Sequence, residues 1–135
     1  MTSPSFSTAS LIVAAGGAAG SWLRFLVARL WTAAIGPVAA GAFPWATVTV
    51  NIAGSFAMGL LVSWLARQGD GAEAWRLLLG VGVLGGFTTF SAFSLDFVLL
   101  VERGALALAA IYVIISLVAS FAGLFAGLAA IRSLA

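Results

Sequence analysis

Four apolar stretches, each long enough to cross a lipid bilayer, follow one another with little between them, and no other feature constrains the fold as strongly. A hydrocarbon core of about 30 Å takes about 20 residues of helix. The stretches Ala9–Thr32, Pro44–Ala66, Ala74–Leu100 and Gly104–Ile131 meet that length. In lipid every backbone amide and carbonyl needs an internal partner, so such stretches fold as helices. Between them lie GPVAAGAF, RQGDGAE and the short turn at Glu102, Arg103 and Gly104. Each carries the Gly, Pro or charge of an interfacial turn. Nothing is left over for a soluble domain, so residues 1–135 are read as one four-helix transmembrane domain, multi-pass in a cell membrane. The lead sequence MTSPSFSTAS has no basic n-region and reads as the approach to a retained helix rather than a signal peptide.

Composition agrees with this and removes several functions. The chain is 63% hydrophobic and 7% charged, against about 45–50% and about 25% in soluble domains. A domain this small has too much surface to hide such an excess from water. There is no cysteine and no histidine, and all six basic residues are arginine. Thiolate metal sites, the usual general bases and amine nucleophiles are therefore absent, which speaks against an enzyme. The arginines are scattered, so the positive balance makes no nucleic-acid surface. The acids Asp70, Glu73, Asp96 and Glu102 all fall near predicted span ends. A proton-coupled multidrug exporter needs a carboxylate deep in the membrane, and none is expected here.

The charge count also bears on topology. Four spans put both termini on one side with Arg67, Arg76 and Arg132, and leave Arg24, Arg29 and Arg103 on the other, three against three. Orientation normally follows an excess of Lys and Arg on the cytoplasmic side. The balance leaves both orientations open, and with them an antiparallel homodimer whose two-fold axis lies in the membrane plane.

Polar residues inside the spans each need a partner or a task. Thr47, Asn51 and Ser55 stand four residues apart on one helix face, as do Tyr112, Ser116 and Ser120. Either stripe suits interhelical hydrogen bonding, and a serine on its own often just bonds the carbonyl one turn back. The pairs Gly16 with Gly20 and Gly123 with Gly127 suit close helix approach. Arg24 suits snorkelling, or a fixed charge at an aqueous mouth. The third stretch holds GGFTTFSAFS, Gly85 to Ser94. Its paired glycines weaken the helix mid-span, and a break there leaves backbone groups that are tolerated only in protein or beside a cavity. Freed carbonyls suit a hard cation, and two copies on a two-fold axis supply four. Phe90 and Phe93 share a face, and their ring edges carry positive potential that suits an anion; as plain packing residues they need no such role. A structural subunit of a larger membrane complex accounts for the glycines, but not for Asn51, the broken span and the hydroxyl stripes together.

GGAAGSWLRF (Gly16 to Phe25), FPWATVTVNIAGSFAMG (Phe43 to Gly59) and GGFTTFSAFSLD (Gly85 to Asp96) resemble the small fluoride channels of the Fluc (CrcB) family over essentially the whole chain. The resemblance implies an all-α fold of four transmembrane helices, the third broken mid-membrane, in a dual-topology homodimer. It implies passive, electrodiffusive fluoride export that lowers cytoplasmic fluoride in a microbial plasma membrane. It places Asn51, Phe90, Phe93, Tyr112, Ser116 and Ser120 along the fluoride path and Arg24 at its vestibule. It also implies a structural sodium ion between the two copies, held by backbone carbonyls at Gly85 and Thr88. The chain departs from the family pattern at Ala92, where a Thr is usual, and at Asp96, where a Glu is common.

Overall fold

The computed structural model describes residues 4–68 and 72–133. Part of the second connection, with Asp70, lies outside the described residues. Among the described residues, four helices are long and apolar enough to cross a membrane: α1 (Phe6–Ala42), α2 (Trp45–Leu65), α3 (Glu73–Glu102) and α4 (Leu106–Arg132). Ser5 caps α1, its hydroxyl accepting from the Thr8 amide at 3.3 Å. The helix runs past the expected end at Thr32. It kinks at Gly36 (φ 82°, ψ 160°), and Pro37 starts the last turns. Only glycine takes that φ without strain, and proline is preset for a first helical position. Thus most of GPVAAGAF, expected as a loop, is helix. The α3–α4 turn closes as a Schellman motif, with Gly104 at φ 72°. There the Gly104 amide reaches the Val101 carbonyl and the Ala105 amide the Leu100 carbonyl.

Glycine sets how near the helices come. A Cβ on Gly16 would lie 2.9 Å from the Gly82 Cα, and one on Gly86 would lie 3.1 Å from the Gly17 Cα. These contacts press α1 onto the first half of α3. A Cβ on Gly127 would lie 3.1 Å from the Gly59 Cα, which joins α4 to α2. The packing role expected of Gly16, Gly20, Gly123 and Gly127 is what the structure shows, with Gly82 as the counterpart of Gly16 and Gly59 that of Gly127.

α3 is not uniform. Arg76–Leu84 is a π-helix, and the Gly85 amide bonds the Gly80 carbonyl five residues back. Gly85–Phe87 then returns to α-helix, and a new helix starts at Ser91. The break was expected at Gly85-Gly86. It falls instead at Thr88, whose ψ is 160°, while Gly85 keeps helical angles (φ −64°, ψ −37°). Gly86 serves close approach to α1, and the interruption comes where a side chain from α2 captures the backbone.

Aromatic residues mark both ends of the bundle. Trp31 stacks on Trp45 at 5.5 Å between ring centroids, and its indole donates to Thr49 Oγ1 at 3.0 Å. At the opposite end Trp64 meets Trp75 edge-on at 6.2 Å. Such paired belts fit the two membrane–water interfaces.

Candidate functional site

Asn51 sits mid-way along α2, opposite the break in α3. Its amide clamps one residue from both sides: Nδ2 donates to the Thr89 carbonyl at 3.1 Å, and Oδ1 accepts from the Thr89 amide at 2.9 Å. In a continuous helix the Thr89 amide would bond the Gly85 carbonyl four residues back. Asn51 takes that donor and so stabilises the break. Thr89 Oγ1 accepts from the Ala92 amide at 3.2 Å, capping the second half of α3. Thr88 turns its own hydroxyl back to the Leu84 carbonyl at 2.8 Å.

Beside this clamp lies a cleft of about 410 Å³ between α2, the α3 break and α4. Asn51 and Ser55 line it from α2, Thr88, Thr89, Phe90 and Phe93 from α3, and Ser116 and Ser120 from α4. Two stripes and one motif, far apart in sequence, therefore meet in a single place. Both serine hydroxyls on α4 are buried and have no hydrogen-bond partner among the described residues. Neither bonds the carbonyl one turn back, whereas Ser10, Thr49 and Ser94 all do. A buried hydroxyl left unpaired costs roughly 1–3 kcal/mol. Both of these serines belong to the lining of the cleft.

The aromatic rings form a row. Phe90 lies 5.6 Å from Phe93, and Phe93 lies 5.1 Å from Tyr112. Phe90 is 76% exposed, at the open side of the cleft. Tyr112 is fully buried behind Phe93, in the core with Phe43, Val48, Leu100 and Ala109. It shares the stripe of Ser116 and Ser120 but does not line the cleft. Its hydroxyl donates to Asp96 Oδ2 at 3.3 Å, and Thr47 donates to the same oxygen at 2.6 Å.

Asp96, expected near a span end, lies more than a turn inside α3 and is partly buried. Its two hydroxyl donors account for a carboxylate at that depth. Arg24 stands apart, since α1 contributes no side chain to the cleft. Gly85 is exposed and also outside it. Thr89 and Asp96 were missed as site residues. Thr89 acts through its backbone, which no residue-type pattern reveals. Asp96 meets Thr47 across elements, beyond the reach of single-helix periodicity.

Residues 11–128 match a family described as CrcB-like protein, Camphor Resistance (CrcB). A protein of Novosphingobium aromaticivorans named "Fluoride-specific ion channel FluC" is 56% identical over 128 residues, 95% of this chain and 99% of that protein. Its namesake in Agrobacterium fabrum is 54% identical over 123 residues, 91% of this chain and 95% of that protein. Another namesake, in Rhodospirillum centenum, is 54% identical over 123 residues, 91% of this chain and 94% of that protein.

Proposed function

The chain belongs to the CrcB-like family, and from that premise we propose that it is a fluoride-selective channel. The observation that carries the reading is the pair of buried, unpartnered hydroxyls on Ser116 and Ser120, facing Asn51 and two phenylalanines across one cleft. Fluoride is small and strongly hydrated. A carboxylate-sized ion already meets an idealised penalty of order 20 kcal/mol on entering low dielectric, and the smaller fluoride meets no less. Replacement donors must lower that penalty, and the two hydroxyls are free to donate. Asn51 keeps one amide hydrogen beyond its bond to Thr89. The edges of Phe90 and Phe93 offer positive potential where water does not fit. Weak, successive contacts suit conduction, because an ion held too tightly does not leave. Flow is passive and electrodiffusive, and its biological sense is relief of cytoplasmic fluoride.

The working unit is an antiparallel homodimer. The cleft of one chain opens sideways past Phe90, and a second copy would close it. The three-against-three arginine balance supports insertion both ways round. Tyr112 supports the path from behind Phe93, and Arg24 supplies vestibule charge from the dimer rather than from the cleft of its own chain.

The structural sodium ion fits the break. The Gly85 carbonyl has lost its helical donor to Asn51, and Thr88 leaves the helix at ψ 160°. Carbonyl oxygens suit a hard cation, and one chain offers too few, so Gly85 and Thr88 of both copies would share it. When bound, the ion would supply fixed positive charge that holds two α3 breaks together. Exchange of sodium for a bulky organic cation should lower the dimer fraction on size-exclusion chromatography; an unchanged dimer would remove the ion from the account.

The reading is tested by efflux. Purified protein is reconstituted in liposomes loaded with fluoride or with chloride, a potassium ionophore is added, and anion release is followed by electrode. Fast fluoride release with little chloride release is expected. No release of either ion from verified dimer would favour a structural membrane subunit instead.

A further inference from the structure

We propose that a second cavity, of about 190 Å³ and lined by Asp96 and Arg103 among others, is an anion antechamber in which Arg103 holds the positive charge. This rests on the channel reading above. The cavity sits at the α3–α4 end of the bundle, between the last turns of α1 and the second half of α3, with Gly41 and Pro44 on one side and Leu99 on the other. It shares no lining residue with the larger cleft. The two are linked by side chains: Phe93 on the cleft packs on Tyr112, and Tyr112 bonds Asp96, which faces the second cavity.

A carboxylate at that place would repel an arriving anion. The hydroxyls of Thr47 and Tyr112 spread its charge over two hydrogen bonds, and the guanidinium of Arg103 brings the opposing charge into the same cavity. Arg103 is exposed, yet its guanidinium is tied to the wall of this cavity, because Nη1 donates to the Gly41 carbonyl at 2.8 Å. The guanidinium keeps further donors beyond that bond. An exposed arginine at a helix end ordinarily lies in solvent or snorkels. One tied to the rim of a cavity with low-dielectric walls focuses potential there and raises local anion concentration. The ligand class is a small hydrated inorganic anion, fluoride in the channel reading.

The chain has no cysteine, so Arg103→Cys offers one reactive thiol. The variant is modified in detergent with ammonium-bearing, sulfonate-bearing or methyl methanethiosulfonate, checked by intact mass, and reconstituted. At low fluoride, efflux from Arg103→Cys should fall roughly tenfold, the lower end of what focused charge gives to on-rates. The ammonium adduct should recover most of it, the methyl adduct should not, and the sulfonate adduct should lower it further. Equal flux from all three adducts, beside a conducting wild type, overturns the proposal. Arg103→Lys should keep most of the wild-type flux; a loss as deep as that of Arg103→Cys would assign the residue to holding the turn and equally overturn it. A wild type that passes no fluoride would refute the channel reading itself, and this one with it.

Discussion

Ser116 and Ser120 carry the most specific expectation at the scale of single residues. Removing a buried hydroxyl that has no partner takes nothing from the fold. Ser116→Ala and Ser120→Ala should therefore unfold in detergent at the wild-type temperature or slightly above it. Their fluoride efflux should drop by roughly tenfold or more, since a hydrogen bond to a charged group contributes about 1.5–3 kcal/mol. Reduced flux joined to reduced stability would instead make them packing residues. Asn51 behaves differently because it has two tasks. Asn51→Ala should lose flux and also destabilise the α3 break by about 1–3 kcal/mol, as it strands the Thr89 amide and carbonyl. Phe93→Ile should impair conduction, with loss of both the ring edge at the cleft and the tilted ring contact with Tyr112; efflux equal to wild type would remove the ring from the path. Asn51, Ser116 and Ser120 were legible in the sequence because a polar side chain at helical spacing inside an apolar span needs a reason. The Thr47–Asp96–Tyr112 group was not, because Tyr112 reads as one more hydroxyl in its stripe until the carboxylate behind it is seen.

Helices approach one another here through glycine, and two neighbouring glycines separate local from intermolecular roles. A Cβ on Gly86 would lie 2.5 Å from the Gly17 carbonyl oxygen, whereas one on Gly85 meets nothing nearer than the Gly80 carbonyl at 3.7 Å. Gly86→Ala should therefore lower the stability of the subunit by about 1–3 kcal/mol through overpacking. Gly85→Ala should leave the subunit intact, as read by thermal unfolding in detergent. Similar losses for both would show that α1 does not set the position of the first half of α3. The same pair shows where sequence reading stops. Two adjacent glycines signal a weak helix, yet both stay helical, because breaking is decided by the side chain that captures the backbone. The π-helix of Arg76–Leu84 was equally invisible: its residues are ordinary for an apolar span. The four spans themselves were plain, with α2 and α4 ending within two residues of the expected bounds.

The whole molecule exposes 8104 Å², whereas a soluble monomer of 13.7 kDa exposes about 6,600 Å². Its large apolar side chains face outward along every helix, from Leu11 and Trp22 on α1 to Phe121 and Phe125 on α4. That surface suits lipid and a second copy. Dual topology is checked with a single added thiol: in Ser5→Cys, an impermeant thiol reagent applied to intact cells should label about half of the chains, by the charge balance. Complete labelling, or none, would fix one orientation and exclude the antiparallel pair. The central claim is selective, passive passage of fluoride, and the most direct test is a reversal potential. With fluoride and chloride gradients set in opposite directions across a planar bilayer holding the purified protein, current should reverse close to the fluoride equilibrium potential. Reversal at the chloride potential, or midway between the two, would contradict it.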